Sequence, residues 1–211
     1  MLLVVTLSSG MLDLVSFLDL GQVFVSAMTG NMIFLGVGMT GQGELLPPAL
    51  SLASYAVGAI FGGRLAFPTI THRGQLLLLG TAIHAAVVGI AALVATRHDM
   101  ADAGPRNLVL VLLAFSMGWQ YSVVLRLKVP DVTTTVVTTT ITRLFGQASG
   151  PRARKRRSLM IGTLLCGALL AGLLRWLLGP PAPLWAAGLL LAACSSSVYL
   201  ALGRPGAEGW R

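Results

Sequence analysis

The sequence predicts an all-α integral membrane protein of about six transmembrane helices plus two short interrupted or re-entrant segments, arranged as two inverted three-helix repeats. Three observations carry that expectation. The first is composition: 211 residues, 55% hydrophobic, only 10% charged, mean hydropathy +0.81. Soluble domains carry roughly 25% charged residues, so this chain cannot cover a water-facing surface and needs an apolar solvent. The second is a set of eight apolar stretches, near 2–20, 22–39, 48–67, 75–96, 107–125, 132–146, 158–178 and 183–202. The third is an internal echo about 109 residues apart. Met28-Thr29-Gly30-Asn31 with its tail to Gly36 answers Val137-Thr138-Thr139-Thr140 with its tail to Phe145, Gly58-Ala59 answers Gly167-Ala168, and Gly63 answers Gly172.

Taken in chain order, six of the eight stretches approach the ~20 residues that a spanning helix needs. The second stretch is broken by Thr29-Gly30-Asn31 and later glycines, and the sixth is short and holds seven threonines between Thr133 and Thr142. These two are the repeated motif itself. Interrupted apolar segments at matching places in two halves point to discontinuous helices around a binding site. Pro47-Pro48 opens the third stretch, Pro68 closes it, and Gly179-Pro180-Pro181 separates the last two. Proline suits a helix start, where its missing donor has no partner to lose. Gly58 and Gly62, echoed by Gly167 and Ala171, have the four-residue spacing of small side chains that lets helices approach closely in lipid.

Charge selects the topology. If all eight stretches crossed, Arg64, His72 and Arg73 would lie opposite the basic run Arg152 to Arg157. With six crossings, Arg64–Arg73, Arg126–Lys128, Arg143–Arg157 and Arg204 share one face. The other face then holds Asp19, Glu44 and the balanced loop from Arg97 to Arg106, and only Arg175 looks misplaced. The positive-inside rule favours this arrangement, with both termini cytoplasmic. Residues 1–103 and 104–211 are read as two repeats of one membrane domain. Three crossings per half, an odd number, place the halves upside down relative to each other.

Several chemistries lack support. The net charge of +8 is distributed as topology signals, not as a nucleic-acid footprint. Gly36-Val37-Gly38-Met39-Thr40-Gly41 spells a dinucleotide fingerprint, but no strand–helix unit surrounds it. Cys166 and Cys194 lie in apolar segments with no metal-ligand spacing, so no cofactor or metal is expected. No nucleophile–base pair is evident, and an enzyme is not expected.

Ten residues are candidates for substrate binding or coupling. Asp13 lies inside the first span, where a carboxylate needs a cavity or a partner; its bland alternative is a hydrogen bond between helices. His84 is either a proton relay with Asp13 or an interhelical hydrogen bond. Thr29, Gly30 and Asn31 bind a solute, satisfy the backbone groups freed by a helix break, or do both. Thr138, Thr139 and Thr140 repeat that set, or bond back to their own helix. Arg143 clamps an anion or snorkels to headgroups. Gln120, with Tyr121 after Gly118, repeats the position of Asp13 after Gly10 with a small slip.

Gly10-x-x-Asp13, Ser16-Phe17-Leu18-x-Leu20-Gly21, Phe24-Val25-x-x-Met28-Thr29-Gly30-Asn31 with Leu35-Gly36, and Thr140-x-Thr142-Arg143-Leu144 carry a resemblance that covers nearly the whole chain. At these residues the chain resembles the YoaK-like family of small bacterial multi-pass membrane proteins. Where that family usually has Thr-Gly-Thr this chain has Thr138-Thr139-Thr140, and Phe145 stands at a usual glycine. The resemblance implies the membrane class and names no substrate. The functional expectation is a secondary transporter or channel for a small polar or anionic solute, with the lipid bilayer as partner and homo-oligomers allowed. The alternative is a non-transporting structural or sensory membrane protein.

Overall fold

Long apolar runs can satisfy their backbone groups in lipid only as helices, and those of this chain lie in helices of 18 to 28 residues. The computed structural model describes residues 1–65, 72–127, 137–147 and 150–202. Its helices are α1 (Leu2–Asp19), α2 (Met28–Met39), α3 (Leu46–Ile60), α4 (Arg73–Arg97), α5 (Ala103–Arg126), α6 (Val137–Gly146), α7 (Pro151–Leu178) and α8 (Ala182–Leu202). A π turn at Phe61–Leu65 prolongs α3. Among the described residues there is no strand. Six helices, α1, α3, α4, α5, α7 and α8, are long and apolar enough to cross a bilayer.

The two doubtful stretches are short helices. α2 has 12 residues and α6 has 10. At 1.5 Å per residue these reach about 18 and 15 Å, well short of a ~30 Å hydrocarbon core. The expected second stretch therefore splits. Residues 20–27 are not helical, and α2 occupies only its later part. Of the sixth stretch, 132–136 lie outside the described residues, as do Lys128, Arg204 and Pro68. The seventh stretch starts earlier than its apolar run, because the basic segment Arg152 to Arg157 is itself helical behind Gly150 and Pro151.

Four glycines set the closest helix crossings. A Cβ on Gly10 of α1 would strike the carbonyl oxygen of Leu164 and crowd the amide of Ala168 on α7. Gly167 of α7 faces the Leu7 carbonyl of α1 in the same way. In the other pair, a Cβ on Gly118 of α5 would strike the Tyr55 carbonyl and crowd the Ala59 amide on α3, and Gly58 faces the Phe115 carbonyl. Every residue of α1 and α7 in the first pair has its counterpart on α5 and α3 in the second, shifted by 108 or 109 positions. α4 and α8 pack on each other, and α5 and α1 pack beside them. Met11, Leu12, Val88, Leu110, Leu113 and Leu191 meet in the common core, all fully buried.

The misplaced Arg175 finds its reason here. Its guanidinium donates to both Asp19 oxygens, from Nη2 at 2.7 Å and from Nε at 3.0 Å, tying the end of α7 to the end of α1. Arg106 reaches Glu44 at 3.5 Å at the same end of the bundle. The pair is partly exposed, so its net contribution is about 1 kcal/mol or less. A double-mutant cycle with Asp19→Asn and Arg175→Gln should read a coupling of that size that shrinks with added salt. A coupling of zero at low salt would assign the arginine to packing alone.

Candidate functional site

After α1 the chain turns at Gly21 and Gln22, both with positive φ (94° and 55°), and runs back alongside the helix it has just left. Asp13 holds that returning segment. Its Oδ1 accepts the backbone amides of Val25 at 3.0 Å and Ser26 at 2.8 Å, and its Oδ2 accepts the Ser26 hydroxyl. The segment then starts α2 at Met28. The carboxylate thus sits against the N-terminal end of α2, where a helix favours negative charge.

Asn31 holds the same segment from the other side. Its Oδ1 accepts the Phe24 amide at 2.9 Å, and its Nδ2 donates to the Phe24 carbonyl at 2.6 Å and to Ser51 Oγ at 2.9 Å. Ser51 in turn donates to the Phe24 carbonyl at 2.7 Å. The Phe24 ring lies over Gly30, where a Cβ would meet it at 2.9 Å, and stacks with Phe17 and Phe34 at centroid distances of 5.4 and 6.1 Å. Glycine at position 30 leaves room for that ring.

A cavity of about 550 Å³ opens among α1, α2, α3, α5, α6 and α7. Its polar groups come from Asp13, Ser26, Thr29, Tyr55, Tyr121 and Thr138. Its remaining walls are largely apolar, with Phe17, Phe24, Leu14 and Leu164 among them. Tyr55 lies within electrostatic reach of both Asp13 and Tyr121. The lining pairs up across the chain. Asp13 answers Tyr121 at the 108-residue shift of the α1 and α5 glycines, and Tyr55 answers Leu164, and Thr29 answers Thr138, at 109. The first turns of both short helices contribute to it, through Met28 and Thr29 of α2 and through Thr138 of α6.

A membrane fold with this architecture has a match among known families. The model for the family described as protein of unknown function (DUF1275) covers residues 1–196 of the chain. The chain belongs to the DUF1275 family. One relative is the UPF0700 transmembrane protein YoaK of Bacillus subtilis (strain 168), 25% identical over 147 residues, which are 68% of this chain. The matched part spans 64% of that relative's length. No solved structure matches. Family and fold together make this a multi-pass membrane protein.

For this DUF1275 member the ten sequence candidates divide into four groups. Asp13, Thr29 and Thr138 line the cavity. Gly30 and Asn31 lie behind it, and every polar atom of the buried Asn31 side chain is engaged in holding residue 24 and Ser51. Its amide therefore holds the loop in place. Thr139, Thr140 and Arg143 are on α6 but not among the cavity-lining residues. Thr140 is buried, and the Arg143 carbonyl accepts Arg157 Nη1 at 2.7 Å, which fastens α6 to α7. His84 of α4 and Gln120 of α5 lie apart from the cavity lining, both within 1% of complete burial, and among the described residues no side-chain nitrogen or oxygen of either is within hydrogen-bond reach of a partner. His84 is not among the residues that line the cavity with Asp13.

The sequence candidates omit Tyr55, Ser26 and the aromatic wall of Phe17 and Phe24. Tyr55 was findable as the residue three before Gly58, on the same helix face as that crossing glycine. Ser26 was not, because nothing local shows that residues 20–27 fold back on α1.

Proposed function

We propose that this protein is a secondary transporter or channel for a small polar solute, built from two inverted repeats, 1–103 and 104–211, around the cavity at Asp13 and Tyr121. The observation that carries the reading is the matched lining of that cavity. Two pairs of its polar side chains, Asp13 with Tyr121 and Thr29 with Thr138, come from corresponding positions of the two halves, and the first turns of two short helices open onto it. In this reading residues 20–39 and α6 enter the bilayer from opposite faces. Discontinuous helices at the midplane, contributed by each repeat, are the usual way for a transporter to place polar groups at membrane depth. The reading puts both termini in the cytoplasm of a bacterial cell, since Arg64, Arg73, Arg126 and the Arg152–Arg157 run gather at one end and Asp19, Glu44, Asp99 and Asp102 at the other.

Cysteine accessibility tests it. In a Cys166→Ala background, Thr29→Cys and Thr138→Cys are each labelled in oriented vesicles with membrane-impermeant maleimides. Transport predicts that each position reacts from a water path and that the two are reached from opposite faces, in alternation or together. A structural or sensory protein with a closed interior predicts labelling of neither position, and that result would end the proposal.

A further inference from the structure

The two carboxylates of α1 are treated differently. Asp19, at the bundle end, has a guanidinium on both oxygens. Asp13, deep in the helix and facing the cavity, has three hydrogen-bond donors, but its ion-pair partner is missing among the described residues. Charged groups inside a membrane normally pair with an opposite charge. Among the described residues that line this cavity there is no lysine, arginine or histidine. There are instead four aromatic rings, Phe17, Phe24, Tyr55 and Tyr121. A carboxylate beside aromatic faces in a largely apolar chamber is the chemistry that recognises an ammonium group, through charge and through the ring quadrupoles.

Resting on the transport reading above, we infer that the solute is a small organic cation, whose ammonium group supplies the counter-charge that Asp13 lacks. The two tyrosine hydroxyls and Thr29 and Thr138 are neutral acceptors that solvate such a head without competing for Asp13. An anionic solute is disfavoured at the same place, because the α2 N-terminus that would attract it is already occupied by the carboxylate.

The test compares three probes of one shape on the purified full chain in detergent: choline, its neutral isostere 3,3-dimethylbutan-1-ol, and the anion 3,3-dimethylbutanoate. Binding is read by titration calorimetry and by thermal shift. The expected order is choline at least tenfold tighter than the neutral alcohol, with the anion weakest. Asp13→Asn should reduce choline binding about tenfold and leave the alcohol unchanged. Asparagine keeps the acceptor for Val25 and Ser26 and an amide for the Ser26 hydroxyl, so the segment stays in place. Tyr121→Leu gives a second variant that opens one aromatic wall and should also weaken choline. Equal binding of the three probes, or binding of none, overturns the inference. Neither outcome touches cysteine labelling from the two faces, so failure of the cation reading and failure of the transport reading are separable.

Discussion

Valine at Gly10 or at Gly118 is expected to cost most of the fold's stability, by about 3 kcal/mol or more each, at the upper end of overpacking effects. The obstacle at both positions is a backbone carbonyl of the facing helix, Leu164 for Gly10 and Tyr55 for Gly118. A side-chain obstacle can change rotamer; a carbonyl can retreat only if the whole helix moves. Moving α7 away from α1 would also break the Arg175–Asp19 pair and the cavity wall at Leu164 and Ala168. Melting curves in detergent should fall by on the order of 10 °C for each variant, or the folded peak should vanish. Gly89→Ala is the control. A Cβ there meets nothing within 4 Å, and replacing a mid-helix glycine should be neutral or stabilise by up to about 1 kcal/mol. Equal melting temperatures for Gly10→Val and wild type would disprove the close crossing.

Asn31→Ala should have the next largest effect. It removes the partner of the Phe24 amide and one donor to its carbonyl, and leaves that amide buried without a bond. An orphaned buried donor costs about 1–3 kcal/mol, and losing the Ser51 contact adds to it. The loss is local: residues 20–27 should detach from α1 before the helices separate. Labelling of Thr29→Cys should therefore accelerate at least tenfold in the Asn31→Ala background while far-ultraviolet circular dichroism stays helical. Unchanged labelling together with unchanged melting would show that Asn31 does not hold the segment, and would return it to the list of solute ligands.

Particular residues show where sequence reasoning reached and where it stopped. The helices were legible because lipid leaves a long apolar run only one way to satisfy its backbone. α4 and α8 differ from their expected stretches by a residue or two. The brevity of α2 and α6 was legible from Thr29-Gly30-Asn31 and the threonine cluster. Asp13 was legible as the buried carboxylate that a membrane helix does not carry without a use. The role of Asn31 was not, since an amide that binds a solute and an amide that binds a loop have the same sequence.

Arg175 was the residue that charge counting could not place, and Asp19 resolves it from 156 positions away. His84 was readable only as a polar group in need of a partner. That it lies away from the cavity of Asp13 follows from how α4 is rotated and seated in the bundle, which no local pattern encodes.

On its own, then, the sequence determined the solvent, the helices long and apolar enough to cross it, the two short helices and the internal correspondence. Each follows from local free energies: hydrocarbon transfer, backbone satisfaction, and glycine's tolerance of unwinding. Only the tertiary structure decided which helices cross at which glycines, and through those crossings which side chains share a chamber. Such contacts join α1 to α7 and α3 to α5, elements far apart along the chain. They depend on the rotation and depth of whole helices, and those are set by the sum of many packing contacts, none of which is written at any one position.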